Sequence, residues 1–374
     1  MTRKILIILT CLLATPVTLF AAEEEIPLYR GIRSQSMGGV ITTTGDYAEA
    51  LFGNPARHSE IEHSKFSLID LTLSANSNLV TGVKSAKSFS GGSGASTITG
   101  ATSLIGKNEY ARLDLLIGGY YNPHFLGDIG FAFGMLVSTQ AQLLLHYTTD
   151  INAQTITNVG PNMGVSHRFF EDKLSLGLNL HTLYRIAADD RLSALDFLSG
   201  KSLKLKDIAN QGVGIDLDFG GYYFVPWKLN EVKMGVGASL NNILKSHYRT
   251  FNPAYVNGLG ANPPGSSRLL NTGVRFDFND IWILREPVLA FEINNIGATA
   301  KRYSFFKKVH FGGETKITSR FIFRGGVNQG YLGGGIGFNL PLLKIDLATY
   351  GQELSGTTGG LEDRRYMFRL ALEI

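Results

Sequence analysis

YMFRLALEI (residues 366–374) alternates without a break. Tyr366, Phe368, Leu370, Leu372 and Ile374 form one face, and Met367, Arg369, Ala371 and Glu373 the other. A period of two places successive side chains on opposite faces of an extended strand, so one face suits an apolar medium and the other water. The pattern recurs upstream. Val274, Phe276 and Phe278 oppose Gly273, Arg275 and Asp277; Leu289, Phe291 and Ile293 oppose Ala290, Glu292 and Asn294; Phe321, Phe323, Gly325 and Val327 oppose Ile322, Arg324 and Gly326. Glycine makes up 44 of 374 residues, which predicts tight turns and close backbone approaches and argues against a helix-rich chain. A soluble β-sandwich alternates in the same way. The number of such segments, the aromatic content, the C-terminal strand and the export signal described next favour a membrane barrel.

Residues 1–21 carry Arg3 and Lys4 ahead of an apolar run from Ile5 to Leu13, and the small residues Ala21 and Ala22 flank the expected cleavage site. That is the order of a secretory signal peptide. The single cysteine, Cys11, lies within it, so the exported chain is expected to carry no thiol. Without Arg3 and Lys4, 33 of the 35 basic residues face 31 acidic ones, a balance that gives no reason to expect nucleic acid. Beyond residue 22 no run of apolar residues is long enough for a transmembrane helix. A chain that enters a bilayer without such a helix must close a β-barrel, because only closure pairs every backbone polar group.

Fifteen candidate strands fall near 66–75, 110–120, 128–138, 142–149, 161–170, 174–186, 212–224, 232–242, 269–278, 287–294, 308–316, 320–328, 331–339, 342–350 and 365–374. Bacterial barrels favour even numbers, so the reading is an all-β, 14-stranded antiparallel transmembrane barrel over 63–374, one candidate being spurious. Residues 76–108 read as a long Ser/Gly-rich loop, 187–210 as a loop with a short helix, and 248–268 as a Pro/Gly-rich loop.

Residues 22–62 lack the alternation and are expected to form a small plug inside the lumen. Within them, Asp46 and Glu49 make a capping-box pattern for a short helix through Phe52, which Gly53 can stop and Pro55 cannot continue. The run SMGGVITTTGDYAEALFGNPARHSEIE (36–62), with Gly38, Gly39, Asp46, Asn54, Pro55 and Ala56, resembles the N-terminal signature of FadL-like outer-membrane barrels, the hydrophobic-compound transporters. It also resembles that of the related PorV-like barrels. VHFGGETKI (309–317), FIFRGGVNQGYLGGGIGFNLPLLKIDLATYGQEL (321–354) and EDRRYMFRLALEI (362–374) resemble the closing strands of PorV-like chains, as do the Asn-rich strand ends ASLNNI (238–243) and FEINNIG (291–297). Ile374 departs from the Phe or Trp common at that end. The resemblance implies a plug that occludes a 14-stranded barrel. In FadL-like members it further implies an apolar ligand pocket, release by plug rearrangement, and a lateral gap at a kinked strand. Gly118, Gly119 and Pro123 mark where such a kink could lie, although a periplasmic turn between two strands is the simpler reading.

Signatures of catalysis are missing: no HExxH, no Gly-x-Ser-x-Gly elbow and no thiol outside the signal. No catalytic residue, metal site or cofactor is therefore expected. HSEIEH (58–63) spaces its imidazoles off a common helical face and reads as a solvated segment, and GGGIG (333–337) as a Gly-rich strand that lets the plug approach. Asp216, Asp218, Arg275, Asp277, Glu292, Glu314, Arg324, Asp346 and Arg369 fall on the strand phase opposite the apolar side chains. Charge on a lipid face near the midplane costs about 2–4 kcal/mol for Arg, so these belong to the lumen, either as paired groups holding plug to wall or as a substrate path. The expected function is passive uptake of hydrophobic molecules such as long-chain fatty acids. The alternative is a PorV-like accessory barrel that docks or shuttles secreted proteins. Expected partners are outer-membrane lipids, the barrel-insertion machinery, and a hydrophobic ligand or secreted protein.

Overall fold

A computed structural model describes residue 24 and residues 26–45, 47–61, 63–79, 106–122, 129–145, 150–193, 209–226, 232–250, 261–296 and 304–374. The expected signal segment, Asp46 and Pro123 lie outside these residues.

Fourteen strands close one antiparallel barrel. They are β1 (Lys65–Asn76), β2 (Asn108–Tyr121), β3 (Ile129–Leu145), β4 (Asp150–Phe169), β5 (Leu174–Ser193), β6 (Asn210–Val225) and β7 (Lys233–Asn241). The second half comprises β8 (Leu269–Asp277), β9 (Arg285–Ile296), β10 (Val309–Lys316), β11 (Phe321–Asn328), β12 (Tyr331–Asn339), β13 (Leu343–Glu353) and β14 (Glu362–Glu373). Each pairs with its sequence neighbours, and β14 closes on β1 from Ser67↔Glu373 to Asn76↔Arg365. The spurious candidate is resolved at β3, where two expected strands form one continuous strand paired with β4 along its whole length. The expected loop at 187–210 is narrower than its sequence suggests, because β5 runs on to Ser193 and β6 begins at Asn210; residues 194–208 are outside the described set.

The alternation sorts side chains by medium. On β14, Tyr366 and Phe368 are exposed while Met367 and Ala371 are buried. Leu113, Met135, Met163, Ile215, Leu289 and Phe323 continue the exposed apolar belt around the outside. Ile281, Trp282 and Ile283 stand exposed in the β8–β9 turn, and Phe305 and Phe306 at the opposite end, as aromatic girdles do at the two interfaces of a membrane barrel. The turns β4–β5, β10–β11 and β12–β13 are short and share the end where β1 begins and β14 finishes. The connections β1–β2, β5–β6 and β7–β8 at the other end are long. This asymmetry is that of outer-membrane barrels, with short periplasmic turns and longer extracellular loops.

Before β1, the chain occupies the lumen. α1 (Ile32–Ser36) packs on β11 to β14; α2 (Ala48–Phe52) and a 3-10 segment (Pro55–Glu60) lie against β3 to β6. α2 stops at Gly53 as its sequence indicates, but Glu49 does not cap it. The N-cap is Tyr47, without a side-chain bond, and the buried Glu49 Oε1 accepts the Ser34 N–H at 2.8 Å. Ser34 is the third residue of α1, whose first-turn N–H groups have no partner within the helix. Two short helices folded side by side therefore let the carboxylate of one serve the open end of the other.

Candidate functional site

The plug meets the wall at two motifs, and at each the wall is stripped to glycine. Gly38 and Gly39 have φ of +73° and +86°, a region that other residues enter only at a cost. A Cβ on Gly38 would also stand 2.3 Å from the Phe311 carbonyl oxygen and 2.6 Å from the Val327 nitrogen. From the other side, Cβ atoms on Gly312 and Gly326 would strike the Met37 backbone. Beneath Asn54, Pro55 and Ala56 the wall carries Gly177 and Gly220, and beneath His58 it carries Gly130 and Gly164. Gly335 faces Ser36, where the Gly-rich strand was expected to admit the plug. Much of the glycine excess thus marks a footprint where two backbones touch.

Charge holds the first motif. Glu292 on β9 is fully buried and accepts the N–H groups of Ile41, Thr42 and Thr43 at 2.9, 3.1 and 2.7 Å, with the Thr43 hydroxyl at 2.6 Å. Arg33 leaves the plug to pair with Glu314 on β10 at 2.8 Å. Glu314 holds Arg324 at 2.6 Å, Arg324 holds Asp346 at 2.7 Å, Asp346 holds Arg369 at 3.1 Å, and Arg369 holds Asp70 at 2.8 Å. This chain of ions runs from β10 to β1. It crosses β12 only because Gly337 is there: a Cβ would lie 2.5 Å from Asp346 Oδ1 and 3.1 Å from Arg324 Nη1. Further up, Glu24 pairs with Arg30 and Arg365, each at 2.7 Å. Burial pushes the Glu24 carboxyl up, but Arg365 and Arg30 outweigh it and hold the pKa down at about 2.

Mostly neutral groups hold the second motif, beside the Arg168–Glu60 pair at 3.3 Å and Arg57 stacked on Tyr222. Asn54 Nδ2 donates to the carbonyls of Thr42 and Gly221, and its Oδ1 accepts the Ala56 N–H. Asn179 on β5 donates to Ala50 and Leu51 carbonyls and meets His58 Nε2 at 2.8 Å. His58 is fully buried, which corrects the expectation of a solvated segment: glycines at 130 and 164 open the wall where the imidazole enters. Burial lowers its pKa to about 4 despite the Asn179 bond.

The remaining charges anticipated from sequence also face inward. Asp218 meets His181 at 2.9 Å. Asp216 accepts the Leu244 N–H and the Ser246 hydroxyl, fastening the β7–β8 connection against β6. Arg275 pairs with Asp277 near the turn end. Gly118 and Gly119 lie within β2 and stay in register with β3 throughout, and the shift in register falls opposite them, in β1 between Ser67 and Asp70. The sequence reading missed Asp70 and the Arg112–Asp114 pair, in which Arg112 also donates to the Pro27 and Leu28 carbonyls. The phase test that found Arg369 also finds them, since Leu113 and Leu115 alternate with Arg112 and Asp114 on β2 and Leu71 and Leu73 follow Asp70 on the outward phase of β1.

At the long-loop end these elements line a partly open cavity of about 180 Å³. The plug supplies its apolar side, with Leu28, Tyr29, Ile41 and Phe52. The wall supplies an arc of carboxamides: Asn241, Asn271, Asn294, Asn328 and Gln352. The Asn-rich strand ends noted in the sequence are part of this arc.

A closed 14-strand barrel with an apolar belt and an occupied lumen is an outer-membrane barrel of the FadL type in fold. Solved structures of that fold include the Pseudomonas putida toluene transporter TodX, with TM-score 0.50 at 12% identity, covering 93% of this chain and 98% of that one. The Ralstonia pickettii toluene transporter TbuX matches with TM-score 0.53 at 13% identity over 92% and 97% of the two chains. The CymD monoaromatic hydrocarbon channel matches with TM-score 0.53 at 12% identity over 92% and 96%. No family model and no curated protein sequence matches the chain.

Proposed function

We propose that this protein is a passive outer-membrane conduit for hydrophobic small molecules, exported by a signal peptide at residues 1–21 that is then cleaved, and inserted by the barrel-assembly machinery. The observation that carries the reading is the cavity at the long-loop end, which the plug itself lines with Leu28, Tyr29, Ile41 and Phe52. A ligand seated there rests on the segment that must move for it to pass. The similarity in fold to hydrocarbon channels supports this reading. Long-chain fatty acids were the expected cargo, but about 180 Å³ is nearer the size of a one-ring compound, since a cavity of about 150 Å³ holds benzene. One-ring hydrophobes are therefore the proposed class.

The ion chain from Arg33 to Asp70 favours a second reading, the docking barrel for secreted proteins, because a plug held by buried charges resists movement. Uptake of labelled toluene by porin-deficient cells, with and without the barrel, tests the first reading. Faster uptake with the barrel is expected. Unchanged uptake, together with a stoichiometric protein partner in native mass spectrometry, would replace it with the second.

A further inference from the structure

Past Asn241, the connection between β7 and β8 returns along the wall as an added edge on β6. The Ile243 N–H donates to the Leu217 carbonyl, and Arg249 and Val213 exchange both backbone hydrogen bonds, at 3.0 and 2.9 Å. Antiparallel pairing puts Arg249 on the face of its partner Val213, which is exposed with Ile215 on the outward phase of β6. Lys245, His247 and Arg249 are all exposed, while the intervening Ser246 and Tyr248 are buried. A cleft of about 750 Å³ lies between this edge and the returning arm 262–268, and Arg268 completes its cationic lining. Among the described residues no carboxylate lines it.

Both arms are fastened to the barrel. Asp216, buried on the inward face of β6, accepts the Leu244 N–H and the Ser246 hydroxyl. Arg268 donates to the Ile243 carbonyl at 2.8 Å, Arg185 to the Pro264 carbonyl at 2.7 Å, and Asn262 Oδ1 accepts the Thr250 N–H at 3.0 Å. Gly265 lets the arms touch, since a Cβ there would stand 2.9 Å from the Lys245 carbonyl oxygen. The backbone that carries the cations is therefore set before a partner arrives, which lowers the ordering cost of binding. Outward-facing charge is costly at the bilayer midplane and nearly free at its interface, which places this row at the level of the lipid headgroups at the long-loop end. Leu244 and Leu270 flank the row and are exposed beside it. A soluble anion would engage the charges alone, whereas a lipid with a phosphorylated headgroup engages the charges and the apolar surface together.

We infer that this cleft docks the phosphorylated headgroup of an outer-leaflet lipid, with phosphate against Lys245, Arg249 and Arg268 and acyl chains along Val213, Ile215, Leu244 and Leu270. This is a property of the outer surface and does not depend on what passes through the lumen. The test is equilibrium gel filtration of the purified full-length barrel in neutral-detergent micelles carrying labelled bis-phosphorylated lipid A, beside the same lipid with its phosphates removed. The inference expects the phosphorylated lipid to bind at least about tenfold more tightly, the span that two cations beside lipid phosphate supply. It expects Lys245→Gln combined with Arg249→Gln to remove most of that preference in protein that still shows the heat-dependent gel shift of a folded barrel. If the double variant does not fold, Lys245→Gln alone is measured, and a loss of about fivefold is expected. Equal binding of the two lipids by the unaltered protein, or an unchanged preference in a folded variant, overturns the inference. Release of the lipid when phosphate replaces chloride at constant ionic strength would make this a free-anion site and overturn the lipid assignment.

Discussion

The two ends of the plug are held by different chemistry. Residues 30–44 are fixed by charges: Arg30 to Glu24, Arg33 to Glu314, and three successive N–H groups to Glu292. Residues 50–61 are fixed mainly by amides and an imidazole, Asn54, Asn179, Asn241 and His58, with charge entering only over Arg57–Glu60, where Arg57 stacks on Tyr222 and Glu60 pairs with Arg168 at 3.3 Å. Removing one partner from a buried charged set leaves the other uncompensated and costs about 3–5 kcal/mol, whereas a neutral hydrogen bond contributes about 0.5–1.5. The charged end is therefore the anchor and the amide end the part that yields first. A plug built this way can loosen at the periplasmic side without leaving the barrel.

The largest break in this comparison should come from Glu292→Leu. It strands the N–H groups of residues 41–43, each costing about 1–3 kcal/mol when buried without an acceptor, and we expect about 3–5 kcal/mol of lost stability, read as a lower temperature for the heat-dependent gel shift and faster proteolysis within the plug. Gly38→Ala should follow at about 2–3 kcal/mol, since it combines an unfavourable φ with a collision against the β10 backbone. Asn179→Ala should cost less, about 1–2 kcal/mol, and should raise proteolysis near residues 50–61 while leaving residues 30–44 protected.

Acid acts on both ends in the same direction and separates them by window. His58 titrates near 4 in the folded protein against a usual 6.5, so the unfolded state takes up the proton first and the stability His58 contributes is lost as pH falls from about 6.5 to about 4. Glu24 is held near 2 against a usual 4.5, so its contribution persists to about pH 4.5 and fades only towards 2. Hydrogen exchange at pH 5 should show residues 50–61 opening while residues 30–44 stay protected. Equal opening of both would erase the distinction.

The barrel was largely legible, because lipid and lumen impose opposite demands on alternate residues and a one-residue period error would place Arg369 in the membrane. The strand count was blurred only at residues 139–141, where Thr139, Gln140 and Ala141 weaken the apolar phase although backbone pairing with β4 continues. The charged anchors were legible for the same reason as the strands. The amide anchors were not, since an Asn in a strand is unremarkable until its partner is known, and Asn179 finds partners 128 and 129 residues away. Glycine was read as a composition signal, but its meaning as a footprint under Asn54, Pro55 and His58 depends on which backbones meet.

The central claim is that the anchored segment closes the lumen and that its movement admits the ligand. Planar-bilayer recordings of the barrel with residues 29–56 deleted, beside the full-length protein, test this directly. The account predicts near-zero ion conductance for the full-length protein and a steady open conductance for the deleted one. Equal conductance of two folded barrels would contradict it.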